Sequence, residues 1–141
     1  MYHYKKIISR LLDQNIYILS NDKQESIIID PGLGFELIDN YLKSQNLKPI
    51  AVLATHAHID HIASANDCIE NYNIPFYICK GNAIMLDHYD IMKGYMNVKS
   101  EKPNVSHWID ESSEKLTIGS FDFKLIYNPG HSPGCMSFEI D

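Results

Sequence analysis

Seven consecutive residues, Thr55-His56-Ala57-His58-Ile59-Asp60-His61, bring three imidazoles and a carboxylate together. Imidazole nitrogen and carboxylate oxygen are donors that zinc and related divalent ions take, so what matters is whether they can converge on one point. In an extended segment residues i and i+2 project to the same side, so His56 and His58 can grip one ion while Ala57 and Ile59 turn away. Asp60 and His61 follow where the chain turns into a helix. Adjacent residues there point in different directions, so this pair can address a second ion beside the first. At a helix start Asp60 is also favoured as an anion by the helix dipole, which suits a ligand or a proton acceptor. One histidine near a helix start is ordinary surface. Three with an aspartate directly after an apolar strand serve no packing purpose, and the cluster reads as a metal site. A second loop, Asn128-Pro129-Gly130-His131-Ser132-Pro133-Gly134-Cys135, holds His131 on a rigid turn. With His56 and His58 it completes a three-histidine set that leaves the fourth position for water, the arrangement of catalytic rather than structural zinc.

Hydrophobic periodicity shows what must carry these loops. IISRLL and NIYILS are strand-like, and SIIIDPG is a β-branched strand ended by a turn, which makes an antiparallel start. FELIDNYLKSQ, residues 35–45, has helical spacing, and PIAVLATH is a buried strand running straight into the histidines. IASANDCIENY predicts a helix, PFYICK another strand, and residues 83–92 a further helix. Residues 97–113 read as a polar loop around Trp108, followed by two strands about Gly119 that lead to His131, then by the strand CMSFEI. The β-α-β-α-β alternation predicts an α/β fold.

The chain's 141 residues suit one domain spanning 1–141, with enough length for a real core. A formal charge of −6 gives no electrostatic reason to bind nucleic acid or an anionic membrane. No apolar run approaches the roughly 18 residues of a membrane span. The apolar run at the start is broken by Ser9 and Arg10, so no secretory signal is expected and a cytoplasmic location is. Cys68, Cys79 and Cys135 are odd in number and widely spaced, which predicts free thiols in a reducing compartment.

HxHxDH after a strand, followed by PGHSPG at 129–134, resembles the metallo-β-lactamase superfamily, and within it the glyoxalase II-like (hydroxyacylglutathione hydrolase-like) branch. The upstream SIIIDPG is similar to that family's first motif. The resemblance implies a fold of mixed α/β (α+β) class, an αβ/βα sandwich. It implies that His56, His58 and His131 hold a first metal, that Asp60 and His61 contribute to a second, and that Asp30 orients a ligand imidazole from behind. The implied cofactor is zinc, one or two ions, with Fe or Mn as substitutes. Bound metal lowers the pKa of its water from about 15.7 to about 7. Attack of that hydroxide on a small-molecule thioester, or on a lactone or other ester, is the implied reaction, with Asp60 as the catalytic residue that holds or relays the proton. His58 stands where the superfamily's flavodiiron-type oxidoreductases usually carry Glu, which favours the hydrolases.

The chain also departs from the family. There, an Asp that bridges the two metals follows the PGH motif after a further strand, and a last His comes later still; here the chain reaches Asp141 soon after His131. Glu139 and Asp141 are not expected to replace that Asp. The resemblance thus covers the family's N-terminal part, with the sandwich incomplete at its C-terminus. The second metal site is then expected to be weak, and an apolar face to be left for a second copy or another partner to cover, unless the chain is a fragment. Two alternatives stay open: a mononuclear iron dioxygenase acting on persulfides, and a metal-binding remnant without activity. Cys135 is expected to fill a turn rather than bind metal. His3, His88 and His107 read as ordinary surface or loop residues, while Tyr89, Tyr95 and Trp108 either rim the cleft or pack in the core.

Overall fold

The computed structural model describes residues 1–130 and 132–141. Three strands open the chain, β1 (Tyr2–Ile8), β2 (Asn15–Asn21) and β3 (Glu25–Ile29), paired antiparallel in that order. After α1 (Phe35–Ser44) the direction changes: β4 (Lys48–Ala54) joins β3 in parallel, β5 (Phe76–Cys79) joins β4, and β6 (His107–Ile109) joins β5. Between β4 and β5 lie α2 (Ile59–Ile62) and α3 (Ala65–Tyr72). Between β5 and β6 come a single 3₁₀ turn (Lys80–Asn82), α4 (Ala83–Asp87) and α5 (Tyr89–Met96). A second, antiparallel sheet is built from β7 (Lys115–Ile118), β8 (Phe121–Tyr127) and β9 (Met136–Glu139).

The unbroken apolar runs Ile27-Ile28-Ile29 and Ala51-Val52-Leu53-Ala54 follow from burial on both faces. Ile16, Ile18, Ile28, Val52 and Ala54 pack toward the helices, against Ile38, Leu42, Ile62 and Cys68. Leu19, Ile27, Ala51, Leu53 and Cys79 pack toward the second sheet, against Phe121, Phe123, Leu125 and Met136. Each Ile, Leu, Val, Phe and Met side chain among them contributes on the order of 1.5–3 kcal/mol by leaving water. The three-stranded sheet covers only part of the six-stranded one. Beside β9 runs an open groove of about 630 Å³ lined by Tyr4, Tyr17, Leu19, Phe123, Phe138 and Ile140.

Several elements depart from the sequence reading. β1 stops at Ile8 because Leu12 and Asp13 adopt positive φ and Ser9 N–H closes a turn onto Gln14 O at 2.7 Å, so Leu11-Leu12 does not prolong the strand. The helix expected from Ile62 is interrupted after α2, where Ser64 N–H donates to Pro31 O at 2.8 Å. The helix expected over 83–92 is two, meeting at His88 and reaching Met96. The expected loop 97–113 contains β6, whose three residues are too few to show a period. Among the described residues no helix is long and apolar enough to cross a membrane.

Candidate metal centre

In a sheet with parallel strands, the carboxyl ends are where functional loops gather. Asp30 directly follows β3, Thr55–His61 follows β4, and the Lys80–Asn82 turn follows β5. The connection between β8 and β9 arrives from the second sheet, and Met136 N–H donates to Thr55 O at 3.0 Å where the two meet.

Asp30 is 5% exposed and sits at φ 51°, a left-handed conformation that a short polar side chain tolerates. Its carboxylate is the hub of the site. Oδ1 accepts the Thr55 N–H at 2.7 Å; Oδ2 accepts the Thr55 hydroxyl at 2.7 Å and the His61 Nδ1–H at 2.9 Å. With its proton given to Asp30, Thr55 Oγ1 accepts from His56 Nδ1 at 3.0 Å. Both imidazoles thereby carry their proton on Nδ1, and in the neutral ring the lone pair lies on Nε2, as a ligand requires. For His61, burial is the largest single influence and lowers its pKa. The hydrogen bond and charge of Asp30, with the charge of Asp60, outweigh it, so the pKa lies above the usual histidine value.

The donors are close together. The His56 and His58 rings meet edge-on with centroids 4.7 Å apart, the His56 and His61 centroids are 4.0 Å apart, and His61 Nε2 is 3.6 Å from Asp60 Oδ2. Ala57 and Ile59 are buried in the helix-side core instead. Gly32 permits the Pro31 turn to lie against this segment: a Cβ there would fall on Gln14 Oε1, 2.5 Å from Asp60 O and 2.7 Å from Ser9 Oγ. The side chain of Gln14 is buried beside the same network, donating to Asp30 O at 3.2 Å. Crowded imidazoles with fixed tautomers and an adjoining carboxylate fit a divalent ion in donor chemistry. Among the described residues no three such side chains form a group able to hold an ion by themselves. His131, the expected third ligand, lies outside the described residues.

Other candidates separate from the site. Cys135 Sγ lies 3.3 Å from Ser132 Oγ within its own turn, and Cys68 and Cys79 are buried free thiols whose pKa is pushed up by burial. Tyr89 is core, its hydroxyl bonded to Ser100; Tyr95 and Trp108 are exposed. His3 meets Asp22 on the surface, His88 bonds Ile84 O, and His107 stacks on Tyr77. Glu139 pairs across the ladder with Lys124 at the end of β9. Sequence reasoning missed Thr55, Gln14 and Asn82. Only Thr55 left a signal, as the hydroxyl directly before the first histidine.

The sequence model of the Metallo-beta-lactamase superfamily matches residues 9–141. The chain belongs to that superfamily. It is 33% identical over 131 residues to the "Probable metallo-hydrolase YqgX" of Bacillus subtilis (strain 168), covering 92% of this chain and 61% of that protein. It is 24% identical over 131 residues to the "Hydroxyacylglutathione hydrolase GloC" of Haemophilus influenzae (strain ATCC 51907 / DSM 11121 / KW20 / Rd), covering 89% and 60%. The crystal structure of BLEG-1 B3 metallo-beta-lactamase superposes with a TM-score of 0.87 at 33% identity, covering 98% of this chain and 67% of that one. The mixed α/β architecture is thus the metallo-β-lactamase fold, and the chain spans about three-fifths of the curated relatives it matches, over their N-terminal portion. Members of the superfamily bind divalent metals.

Proposed function

We propose that this chain is the metal-binding part of a zinc-dependent hydrolase acting on a small thioester or related ester. The observation that carries the reading is the carboxylate of Asp30, which fixes His61 directly and His56 through Thr55 beside His58 and Asp60. His56, His58 and His131 are the ligands of the first ion, and Asp60 with His61 serves a second. When bound, zinc supplies Lewis acidity toward the substrate carbonyl and lowers the pKa of water. The chain's own residues do the rest. Asp30 holds the imidazoles in one tautomer, so that binding does not have to select it. Asp60 receives the proton of the attacking water on its carboxylate, whose Oδ2 lies 3.6 Å from His61 Nε2. The thioester preference is supported by the relative from Haemophilus influenzae, whose name is that of a hydroxyacylglutathione hydrolase. The acidic surface, at formal charge −6, favours neither nucleic acid nor an anionic membrane as partner.

Elemental analysis of the purified, zinc-loaded and dialysed chain tests this, alongside His56→Ala and His131→Ala and an assay with an acylated glutathione thioester. At least one zinc per chain, lost in both variants, together with hydrolysis proportional to bound zinc, is expected. A folded chain without metal, or one that consumes oxygen without releasing thiol, would refute it.

A further inference from the structure

Asn82 is fully buried, and its carboxamide makes three hydrogen bonds with no covalent neighbour among the partners. Oδ1 accepts the Ala57 N–H at 2.9 Å, between His56 and His58. Nδ2 donates to Cys79 O at 3.0 Å, at the end of β5, and to Gly134 O at 2.8 Å, in the loop that carries His131. Two carbonyls on one side and an amide proton on the other leave only one orientation for the carboxamide. The backbones close around it. A Cβ on Gly134 would overlap the Asn82 side chain and stand 2.6 Å from its backbone nitrogen; a Cβ on Gly81 would stand 2.8 Å from Pro133 O and 2.9 Å from Gly134 Cα. Two glycines thus let the 3₁₀ turn and the His131-bearing loop touch backbone to backbone, and the Asn82 side chain at that contact reaches through to the other loop.

We propose that Asn82 is a positioning residue that locks the two histidine-bearing loops in one register and thereby sets metal affinity. This rests on the ligand set proposed above. Ala57 N–H and Gly134 O belong to segments far apart in sequence, and Asn82 bonds both with one rigid group. Aspartate would set an oxygen against two carbonyl oxygens, and an aliphatic side chain would leave an amide and two carbonyls without their partner. Either change lets the loops shift relative to each other, and metal ligands from the two sides then no longer meet at one point. Outer partners of metal ligands typically govern affinity by about 10–100-fold, and a residue that holds two loops falls in the same range.

The test compares Asn82→Asp and Asn82→Leu with the parent chain and with Ile38→Val, a core change on α1 away from the loops. Zinc affinity is measured by competition with a chromophoric chelator, the cobalt(II) absorption spectrum reports the ligand field, and amide hydrogen exchange is followed in the metal-free protein. A folded Asn82→Leu chain that binds zinc at least about tenfold more weakly is expected. Its cobalt spectrum should change, and Ala57 N–H should lose protection together with the backbone of 132–136. Ile38→Val should change neither, whatever it does to melting temperature. Affinity within twofold of the parent and an unchanged cobalt spectrum in a folded variant would overturn the proposal. Should both Asn82 variants fail to fold, Gly134→Ala presses on the same contact, and parent-like affinity there overturns it equally. A parent chain that binds no zinc sinks the ligand set and the affinity role together, whereas zinc binding lost in His56→Ala but unaltered at Asn82 sinks the latter alone.

Discussion

The two loops that carry histidines are built on different principles. The segment after β4 is held by side chains: Asp30 accepts three hydrogen bonds from it, and Thr55 relays one of them to His56. The segment between β8 and β9 is held through its own backbone groups: Asn128 N–H donates to Cys135 O at 3.1 Å and Met136 N–H to Thr55 O at 3.0 Å, while Pro133 O and Gly134 O accept from the Tyr127 hydroxyl at 2.7 Å and Asn82 Nδ2 at 2.8 Å. Where several donors must be presented in fixed tautomers, a buried carboxylate does what backbone cannot, because it can accept from two imidazole-bearing branches at once. A loop that supplies a single histidine needs only to be placed, and bonds to its backbone carbonyls and amides do that.

The largest break in this contrast is expected from Asp30→Ala. It leaves the Thr55 N–H, the Thr55 hydroxyl and the His61 Nδ1–H without their acceptor, at a cost of about 3–5 kcal/mol. Urea denaturation should show the lower midpoint, and zinc affinity should fall by about 10–100-fold; an unchanged midpoint would mean that the hub is not structural. Gly32→Ala comes next. Its Cβ would press on Gln14 Oε1 and the Asp60 carbonyl, costing roughly 1–3 kcal/mol of overpacking in the same denaturation series. Thr55→Val keeps the shape and removes the relay, so a loss of about 1–2 kcal/mol is expected. Its zinc affinity should fall by up to about tenfold, with His61 unaffected, which histidine NMR resonances can check. The smallest effect belongs to the other loop. Among the described residues a Cβ at Gly130 meets nothing within 4 Å, so Gly130→Ala should stay within about 0.5 kcal/mol of the parent. A large loss there would show that the backbone-held loop is as tightly constrained as its counterpart.

Much of the fold was legible because its signals are local. β3 and β4 announce themselves as apolar runs, and α1 as a run of Phe35, Ile38 and Leu42 at helical spacing, since both follow from the periodicity of the backbone. β6 was not legible: His107-Trp108-Ile109 becomes a strand only through its pairing with Tyr77, Ile78 and Cys79. The break between α2 and α3 was hidden for a similar reason, as the carbonyl that takes the Ser64 N–H belongs to Pro31, on another connection.

The candidate site divides along the same line. The residue types of its candidate donors, their order and the projection of His56 and His58 away from Ala57 and Ile59 are consequences of residue type and spacing, and the sequence by itself determined them. That one carboxylate serves both Thr55 and His61, that Gly32 must be glycine because Asp60 O lies against it, and that Asn82 joins two distant loops were decided only by the tertiary structure. Periodicity reports which face of an element is apolar. It does not report which loops meet at the strand ends, because strand order and register fix that after the chain has packed.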